Sequence, residues 1–283
     1  LVSGFLVTFV EREGRMGGTN LNLVPELVKA AGDARVTIAG GVTTPEDIAR
    51  LDAMGADAQV GMALYTGRLD LGDSIAAPLH SDRPDGLWPT VVVDEMGIAL
   101  GLAYSSAESL RQAVCTRRGV YHSRSRGLWI KGESSGNTQQ LLRVDLDCDR
   151  DALRFTVRQS GRGFCHVGTP TCWGPVRGLQ ALEDRLTASS PASAGTTAGS
   201  YSARLLGDPD LLHAKLVEEA GELADARDNV DVVHEAADLM YFACVAMRRV
   251  GISFFDVAAE LDRRGLRVTR RPGNAKTSPG GTP

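Results

Sequence analysis

The chain has 283 residues, a formal net charge of −4 and five cysteines. This length exceeds what one ordinary compact domain uses, so we expect two or three domains, each with its own core. Positive and negative charges are mixed without a basic stripe, which argues against a nucleic-acid partner. No apolar run reaches the roughly 20 residues of a bilayer span, which argues against a membrane partner. Both observations favour small-molecule substrates.

Residues 1–79 alternate short β-branched runs with helical patterns. The runs GFLVTFV, RVTIAGG and DAQVGMAL predict strands, and the segments between them predict helices. This βαβαβ order predicts a parallel sheet. The chain begins at Leu1 within an apparent strand and without an initiator methionine, which is compatible with a fragment of a longer product. The Pro- and Asp-rich stretch PLHSDRPDGLW then breaks the pattern and predicts a domain boundary at 79/80.

Residues 80–176 predict a strand-rich α+β domain. PTVVVDEMGIALGLAYS, GLWIKG, LLRVDLDCD and ALRFTVRQSG are typical of strands joined by glycine-containing turns, and AESLRQAVCTRRG is typical of a helix.

An acidic ladder occurs within this domain, in DLDCDRD. We expect this stretch to be extended, with Asp147, Asp149 and Asp151 on one face and Cys148 on the other, because strand side chains alternate. Carboxylate oxygens are hard donors that suit Mg²⁺. An acidic turn that only faces solvent remains an alternative.

Further along, FCHVGTPTC supplies two more cysteines beside His166. With Cys148, the thiolates of Cys165 and Cys172 could converge on zinc and leave a fourth position open for water. An odd number of cysteines in such surroundings favours reduced thiols over disulfides and predicts a cytoplasmic protein. A structural zinc knot, or buried free cysteines, explains the spacing equally well.

The segment SRSRGLWIKGESSGN combines cations, hydroxyls and glycines that let backbone amides approach an anion. It predicts a phosphate cradle, and its alternative is a solvated basic hairpin. The candidate contacts are Arg124, Arg126, Lys131, Ser134 and Asn137.

Residues 177–278 predict a third, all-α domain. A helix can begin at Gly178, whereas residues 187–200 form a low-complexity Ser/Ala/Gly/Thr stretch that predicts a flexible loop. Two helical segments follow, and the second is apolar nearly all round from Ala236 to Met247, as expected of a central bundle helix.

Acids occur at helical spacing on both of these segments. Glu218, Glu219 and Glu222 follow Lys215 on the first, and an ExxD pair begins the second. Antiparallel helices joined by a short connection would bring the two sets together as oxygen ligands for Mg²⁺. The alternative is a solvated helix face, but Glu235 and Asp238 begin an otherwise apolar helix, where uncompensated acids are costly.

The central domain resembles phosphoribosyl-AMP cyclohydrolases through GLAYSSAESL, VYHSRSRGLWIKGESSGN, LDCDRDAL and CHVGTPTC, in that family's order. The resemblance implies a zinc site at Cys148, Cys165 and Cys172 and a magnesium site at Asp147, Asp149 and Asp151. It implies phosphate contacts at the five cradle residues. His166 either shuttles a proton from zinc-activated water to the purine N1 or orients a thiolate.

The third domain resembles phosphoribosyl-ATP pyrophosphohydrolases of the all-α nucleotide pyrophosphatase type, through SYSARLL, KLVEEAGEL, EAADLMYF and GISFFDVAAEL. The resemblance implies that Glu219 and Glu222 help position the attacking water and that Arg204 and Lys215 contact phosphates. It implies a magnesium site at Glu218, Glu219, Glu222, Glu235 and Asp238. Family members generally dimerise, so we expect a homodimer.

The first segment resembles the C-terminal half of the barrel isomerase that acts on the next histidine intermediate. Phe9 stands where that family has a catalytic aspartate, so isomerase activity is not expected. Gly40, Gly41 and Gly61 match loops that bind phosphate, although glycines at such turns more often serve tight geometry.

Together these features predict a multidomain protein with an N-terminal α/β half barrel, a central α+β strand-rich domain and a C-terminal all-α bundle. The resemblances imply a bifunctional hydrolase that uses Zn²⁺ and Mg²⁺ and converts phosphoribosyl-ATP to phosphoribosyl-AMP before opening its adenine ring. Two alternatives are a nucleotide pyrophosphatase with a non-catalytic zinc domain and a regulatory nucleotide-binding protein.

Overall fold

The computed structural model describes residues 2–15, 17–189 and 200–266. The chain forms two compact units, Leu1–Pro175 and Val176–Pro283. The loop predicted at 187–200 lies largely outside the described residues, as does the predicted domain end at 278. Within the described part of the chain, no helix combines the length and apolar character needed to cross a membrane.

The first unit begins with a three-stranded parallel sheet in the order β1-β2-β3. Its strands are β1 (Gly4–Thr8), β2 (Arg35–Ala39) and β3 (Asp57–Gln59), and its helices are α1 (Val24–Ala31), α2 (Pro45–Ala53), α3 (Met62–Tyr65) and α4 (Leu71–Ala76). Thr44 and Asp47 form a capping box at the start of α2. The βαβαβ prediction is confirmed, and the interpretation as half a barrel stays a prediction.

A second, mixed sheet carries the remainder of this unit, in the order β5-β4-β9-β8. Its strands are β4 (Trp88–Val93), β5 (Ala99–Ser105), β8 (Gln139–Leu146) and β9 (Leu153–Gln159), and beside it lie α5 (Ala107–Thr116) and a hairpin of β6 (Val120–Ser123) and β7 (Gly127–Ile130). Tyr121 and Phe155 are fully buried in the core that joins hairpin and sheet. This agrees with the predicted strand-rich α+β domain.

The prediction that the acidic ladder is extended is wrong. β8 ends at Leu146, and the chain turns before β9 begins at Leu153. The turn closes because Asp147 Oδ1 accepts hydrogen bonds from the backbone N–H groups of Asp151 and Ala152, at 3.0 and 3.1 Å. Arg150 adopts a left-handed conformation with φ of 67° inside it.

Two ion pairs join the first sheet's helices to the second sheet's region. Asp52 on α2 pairs with Arg150 at 2.8 Å, and Asp73 on α4 pairs with Arg111 on α5 at 2.7 Å. Residues 1–175 therefore form a single compact unit. The domain boundary that the sequence suggests between residues 79 and 80 stays a prediction.

The second unit is helical in all its described elements. These are α6 (Gly178–Ala188), α7 (Tyr201–Gly207), α8 (Pro209–Asp225), α9 (Asn229–Arg249) and α10 (Phe254–Gly265). Asp208 and Asp228 cap the starts of α8 and α9 through hydrogen bonds to backbone N–H groups. The core contains Leu205, Leu212 and Val245.

Helix α9 is partly exposed in the single chain, although its sequence is apolar nearly all round from Ala236 to Met247. Met240 remains 40% exposed, although Phe242 and Val245 on the same helix are buried. Exposed apolar side chains also occur earlier on the helix, at Val230 and Val233. The described helices cover residues 241–248 of α9 more fully than the first half of that helix.

Candidate functional sites

Carboxylates from α8 and α9 converge in the second unit. Ligand oxygens of Glu218, Glu219 and Glu222 lie within 4.8 Å of one another, and so do those of Glu219, Glu235 and Asp238. Glu219 belongs to both groups and is only 5% exposed. The helical spacing predicted each set, and the hairpin of α8 and α9 brings the two sets together.

Lys215 balances part of this charge. Its ammonium nitrogen lies 2.8 Å from Glu219 and 2.9 Å from Glu218, and 5.5 Å from the ring centre of Phe242. Hydrogen bonds to Glu219 and Glu218 raise the pKa of Lys215. The lysine predicted to contact phosphate is thus held by the acids themselves. Arg204 is exposed on α7, with its predicted phosphate contact untested.

The acids also perturb one another. Burial and the nearby carboxylates of Glu219 and Glu235 raise the pKa of Glu222. Like charges at this separation are relieved either by a proton or by a cation. The cluster contains only oxygen donors besides Lys215, which is the donor chemistry that Mg²⁺ prefers.

The first unit contains a cavity of about 340 Å³ beside the β6–β7 hairpin. It brings together two segments that are distant in the sequence, the predicted cradle and the FCHVGTPTC loop. Its lining includes these predicted site residues: Arg126, Lys131, Ser134, Asn137, Cys165, His166 and Cys172.

Lys131 is the buried cation of this cavity. Its ammonium lies 5.4 Å from the ring centre of Phe164 and 5.9 Å from that of Trp129. Burial lowers the pKa of Lys131, and the nearby Cys165 and Cys172 act against that shift. Neither aromatic ring was predicted as a site residue. In the run GLWIKG, Trp129 and Lys131 are two residues apart, a spacing that places side chains on one face of an extended segment.

Two of the three predicted zinc ligands lie together. The loop that carries them is compact, because the Cys172 N–H donates to the Leu100 carbonyl at 2.8 Å and the Cys165 N–H to the Thr169 carbonyl at 3.2 Å. A backbone hydrogen bond from Val167, with side-chain hydrogen bonds from Thr169 and Cys172, lowers the pKa of Cys165. Burial and Cys165 raise the pKa of Cys172.

Cys148 lies apart from them, so three thiolates do not converge within one chain. Cys148 is exposed in the turn after β8, and its Sγ contacts Asp149 Oδ1 at 3.8 Å. Among the described residues, groups of at least three converging ligand atoms consist of acids alone. The reason is the turn, which directs Cys148 to the surface rather than toward the loop of Cys165.

The three aspartates of that turn do converge. Their ligand oxygens lie within 4.8 Å of one another, as the sequence predicted but through a turn instead of a strand face. Burial opposes the shift, yet hydrogen bonds from Ala152 and Asp151 lower the pKa of Asp147. A hydrogen bond with Asp147, together with burial and the charge of Asp149, raises the pKa of Asp151.

Arg124 does not line the cavity with the other cradle residues. Its guanidinium lies 5.3 Å from the ring centre of Tyr104, and that of Arg83 lies 4.6 Å from the same ring. Arg83 is paired with Asp85 at 2.7 Å. The sequence did not indicate this arrangement, because Arg83 lies before the first predicted strand of its domain and Tyr104 lies within a predicted strand.

The ends of the parallel strands frame another cavity, of about 260 Å³. Gly40, Gly41 and Gly61 line it. At Gly41, with φ of 84°, an added Cβ would lie 2.4 Å from the Gly18 carbonyl oxygen, so tight geometry alone explains this glycine. Phe9 is buried in the core of this sheet.

Three family models match successive parts of the chain. A histidine biosynthesis protein model matches residues 1–70, a phosphoribosyl-AMP cyclohydrolase model matches 101–174, and a phosphoribosyl-ATP pyrophosphohydrolase model matches 180–265. The range 101–174 contains the cavity with its two cysteines, and the range 180–265 contains the helical carboxylate cluster.

Curated relatives agree with these models. The chain is 49% identical over 211 residues to the histidine biosynthesis bifunctional protein of Schizosaccharomyces pombe, covering 75% of this chain and 50% of the relative. It is 48% identical over 210 residues to the trifunctional protein of Neurospora crassa, covering 74% of this chain and 24% of the relative. It is 38% identical over 196 residues to the bifunctional protein HisIE of Deinococcus radiodurans, covering 64% of this chain and 89% of the relative. The chain thus spans half or less of the two fungal relatives.

Proposed function

The chain belongs to the family of histidine biosynthesis bifunctional proteins, and on that premise we propose that it catalyses two consecutive hydrolyses. The second unit hydrolyses phosphoribosyl-ATP to phosphoribosyl-AMP and pyrophosphate. The central segment then opens the adenine ring of phosphoribosyl-AMP between N1 and C6. The observation that carries the proposal is that each of the two segments matched by hydrolase models, 101–174 and 180–265, contains its own cluster of converging carboxylates.

In the second unit, the acids of α8 and α9 would hold magnesium, and the ion would supply positive charge to the pyrophosphate oxygens. Glu219 and Glu222 orient the attacking water, and the raised pKa of Glu222 suits it to accept that water's proton. Lys215, which pairs with Glu218 and Glu219, would supply positive charge to a phosphate beside the cluster. Arg204 supplies a second phosphate contact.

In the central segment, phosphoribosyl-AMP occupies the cavity that Lys131 lines. Arg126, Lys131, Ser134 and Asn137 bind its phosphates, and the rings of Trp129 and Phe164 offer a dry surface to the purine. Arg124 joins Arg83 and Tyr104 at the edge of the cradle. His166 carries a proton to N1, and the turn of Asp147, Asp149 and Asp151 holds magnesium.

Soft thiolates at Cys165 and Cys172 fit zinc, and the lowered pKa of Cys165 favours the thiolate form that a metal needs. If these residues held zinc, the metal would lower the pKa of a bound water to about 7 and so supply hydroxide at neutral pH. One chain contributes two thiolates at this cavity and exposes the third at Cys148. We therefore propose that Cys148 reaches the site from a second copy of the chain.

A homodimer also fits the exposed apolar side chains of the helical unit. Val217 on α8 and Val230, Val233 and Met240 on α9 are 40% to 65% exposed. A second copy would remove this surface from water.

The five free thiols fit a reducing cytoplasm. The first segment has no isomerase role in this proposal, because Phe9 is a core residue.

The test is to incubate purified protein with phosphoribosyl-ATP and follow ultraviolet absorbance and pyrophosphate, with and without a chelator. We expect pyrophosphate first, then the absorbance change of ring opening, and both lost on chelation. Equal turnover of ATP would favour a general nucleotide pyrophosphatase. Tight binding without turnover would favour a regulatory nucleotide-binding protein.

A further inference from the structure

A side chain of the first segment contacts the aspartate turn directly. Asp52 on α2 accepts two hydrogen bonds from the guanidinium of Arg150. Nη2 of Arg150 lies 2.8 Å from Asp52 Oδ1, and Nε lies 3.1 Å from the same oxygen. The remaining guanidinium nitrogen of Arg150 donates to the backbone carbonyl of Asp147 at 2.7 Å. A residue of the first segment thus holds the residue in the middle of the predicted magnesium turn.

Arg150 stands among three carboxylates that it does not pair with. Asp149 and Asp151 are its sequence neighbours, and Asp147 offers it a carbonyl rather than its carboxylate. The Asp147 carboxylate instead accepts from the backbone of Asp151 and Ala152. The three carboxylates converge within 4.8 Å of one another although the one cation inside the turn is bound to Asp52.

A guanidinium released beside three carboxylates would pair with them. Arginine binds carboxylates through two parallel hydrogen bonds, and such a pair competes with a metal ion for the same oxygens. The half-buried pair of Asp52 and Arg150, 28% and 33% exposed, removes that competitor.

We infer that Asp52 is a positioning residue for the cation site of the central segment, acting by holding Arg150 away from Asp147, Asp149 and Asp151. This inference rests on the proposed function for the cation site at the aspartate turn. It also assigns the first segment a role that needs no isomerase chemistry.

The direct test measures Mn²⁺, a hard divalent cation visible by electron paramagnetic resonance, in the full chain. Glu219→Gln with Glu235→Gln removes the helical site, so that the remaining tight binding reports the aspartate turn. In that background, Asp52→Asn weakens Mn²⁺ binding by about fivefold, the upper range for one well-formed surface pair. Asp73→Asn is the matched control, because it breaks the other ion pair between the same two regions without touching the turn.

A second substitution separates competition from loosened packing. Asparagine tolerates the left-handed conformation of residue 150, so Arg150→Asn removes the guanidinium and keeps the turn. Adding Arg150→Asn to Asp52→Asn restores Mn²⁺ affinity to the background level or above it. An affinity in Asp52→Asn equal to that of Asp73→Asn overturns the inference, and so does a double variant that binds as weakly as Asp52→Asn.

The outcome is distinguishable from failure of the proposed function. If the wild-type chain does not open phosphoribosyl-AMP, the proposed activity is wrong, whereas the Mn²⁺ titrations still decide the role of Asp52. In an active enzyme, Asp52→Asn raises the Mg²⁺ concentration needed for ring opening and leaves that for pyrophosphate release unchanged.

Discussion

The ammonium of Lys215 lies 2.8 Å from the carboxylate of Glu219, which is almost wholly buried between α8 and α9. A buried carboxylate without a partner is costly, so the lysine stands in for a cation when none is bound. This relationship links the stability of the helical unit to the proposed magnesium site.

Replacing that ammonium should make stability depend on metal. We expect Lys215→Met to lower the melting temperature in chelator and Mg²⁺ to restore most of the loss, because Mg²⁺ supplies the missing positive charge. Differential scanning calorimetry with and without Mg²⁺ measures this. Glu218→Gln, which removes the exposed partner of the same lysine, should have a smaller effect. Equal losses with and without Mg²⁺ would contradict the idea.

The two activities should be separable. Cys165→Ala removes a thiolate from the central cavity and is expected to abolish ring opening while pyrophosphate release continues. Glu219→Gln removes the shared carboxylate of the helical cluster and should do the reverse. Pyrophosphate release and ultraviolet absorbance, followed in the same reaction, report the two steps. A single substitution that removes both activities would argue against independent sites.

Chains that each lack a different thiolate should complement one another. If Cys148 comes from a second copy, mixing Cys148→Ala with Cys165→Ala chains creates dimers in which one of two sites is intact. Random exchange then returns roughly a quarter of wild-type ring opening. Each variant alone should stay inactive, and a mixture that also stays inactive after subunit exchange would place all ligands within one chain.

The contribution of Glu222 to the stability of the metal-free helical unit should fall as pH rises. The pKa of Glu222 is raised above its ordinary value by burial and by Glu219 and Glu235, so the folded state holds this proton more tightly than the unfolded state does. Such a group stabilises the fold below its unfolded pKa, and the contribution is lost as pH rises through its folded pKa.

We therefore expect Glu222→Gln to melt progressively higher than wild type in chelator as pH increases from about 4 to about 7. Saturating Mg²⁺ should remove the advantage, because the ion compensates the charges in wild type. Thermal melts across this range, with and without Mg²⁺, provide the comparison. A variant whose advantage shrank with rising pH would show that the sign is wrong.

Local pattern was sufficient for much of this protein. The spacing of Glu218, Glu219 and Glu222 put their carboxylates on adjacent turns of one helix. Helix and strand identity follow from hydrophobic period and capping residues, which act over a few residues. The acidic ladder shows the limit even at short range, since Asp147 closes a turn where alternation alone predicted a strand.

By itself, then, the sequence determined which elements form and which chemical groups each carries, because propensity, capping and hydrophobic period are local. Only the tertiary structure decided which groups meet. Lys131 faces Cys165 across a cavity, Cys148 is turned to the surface, and Asp52 reaches Arg150 from 98 residues away. These contacts depend on how sheets and helices pack, and packing joins residues whose separation along the chain leaves no periodic signal.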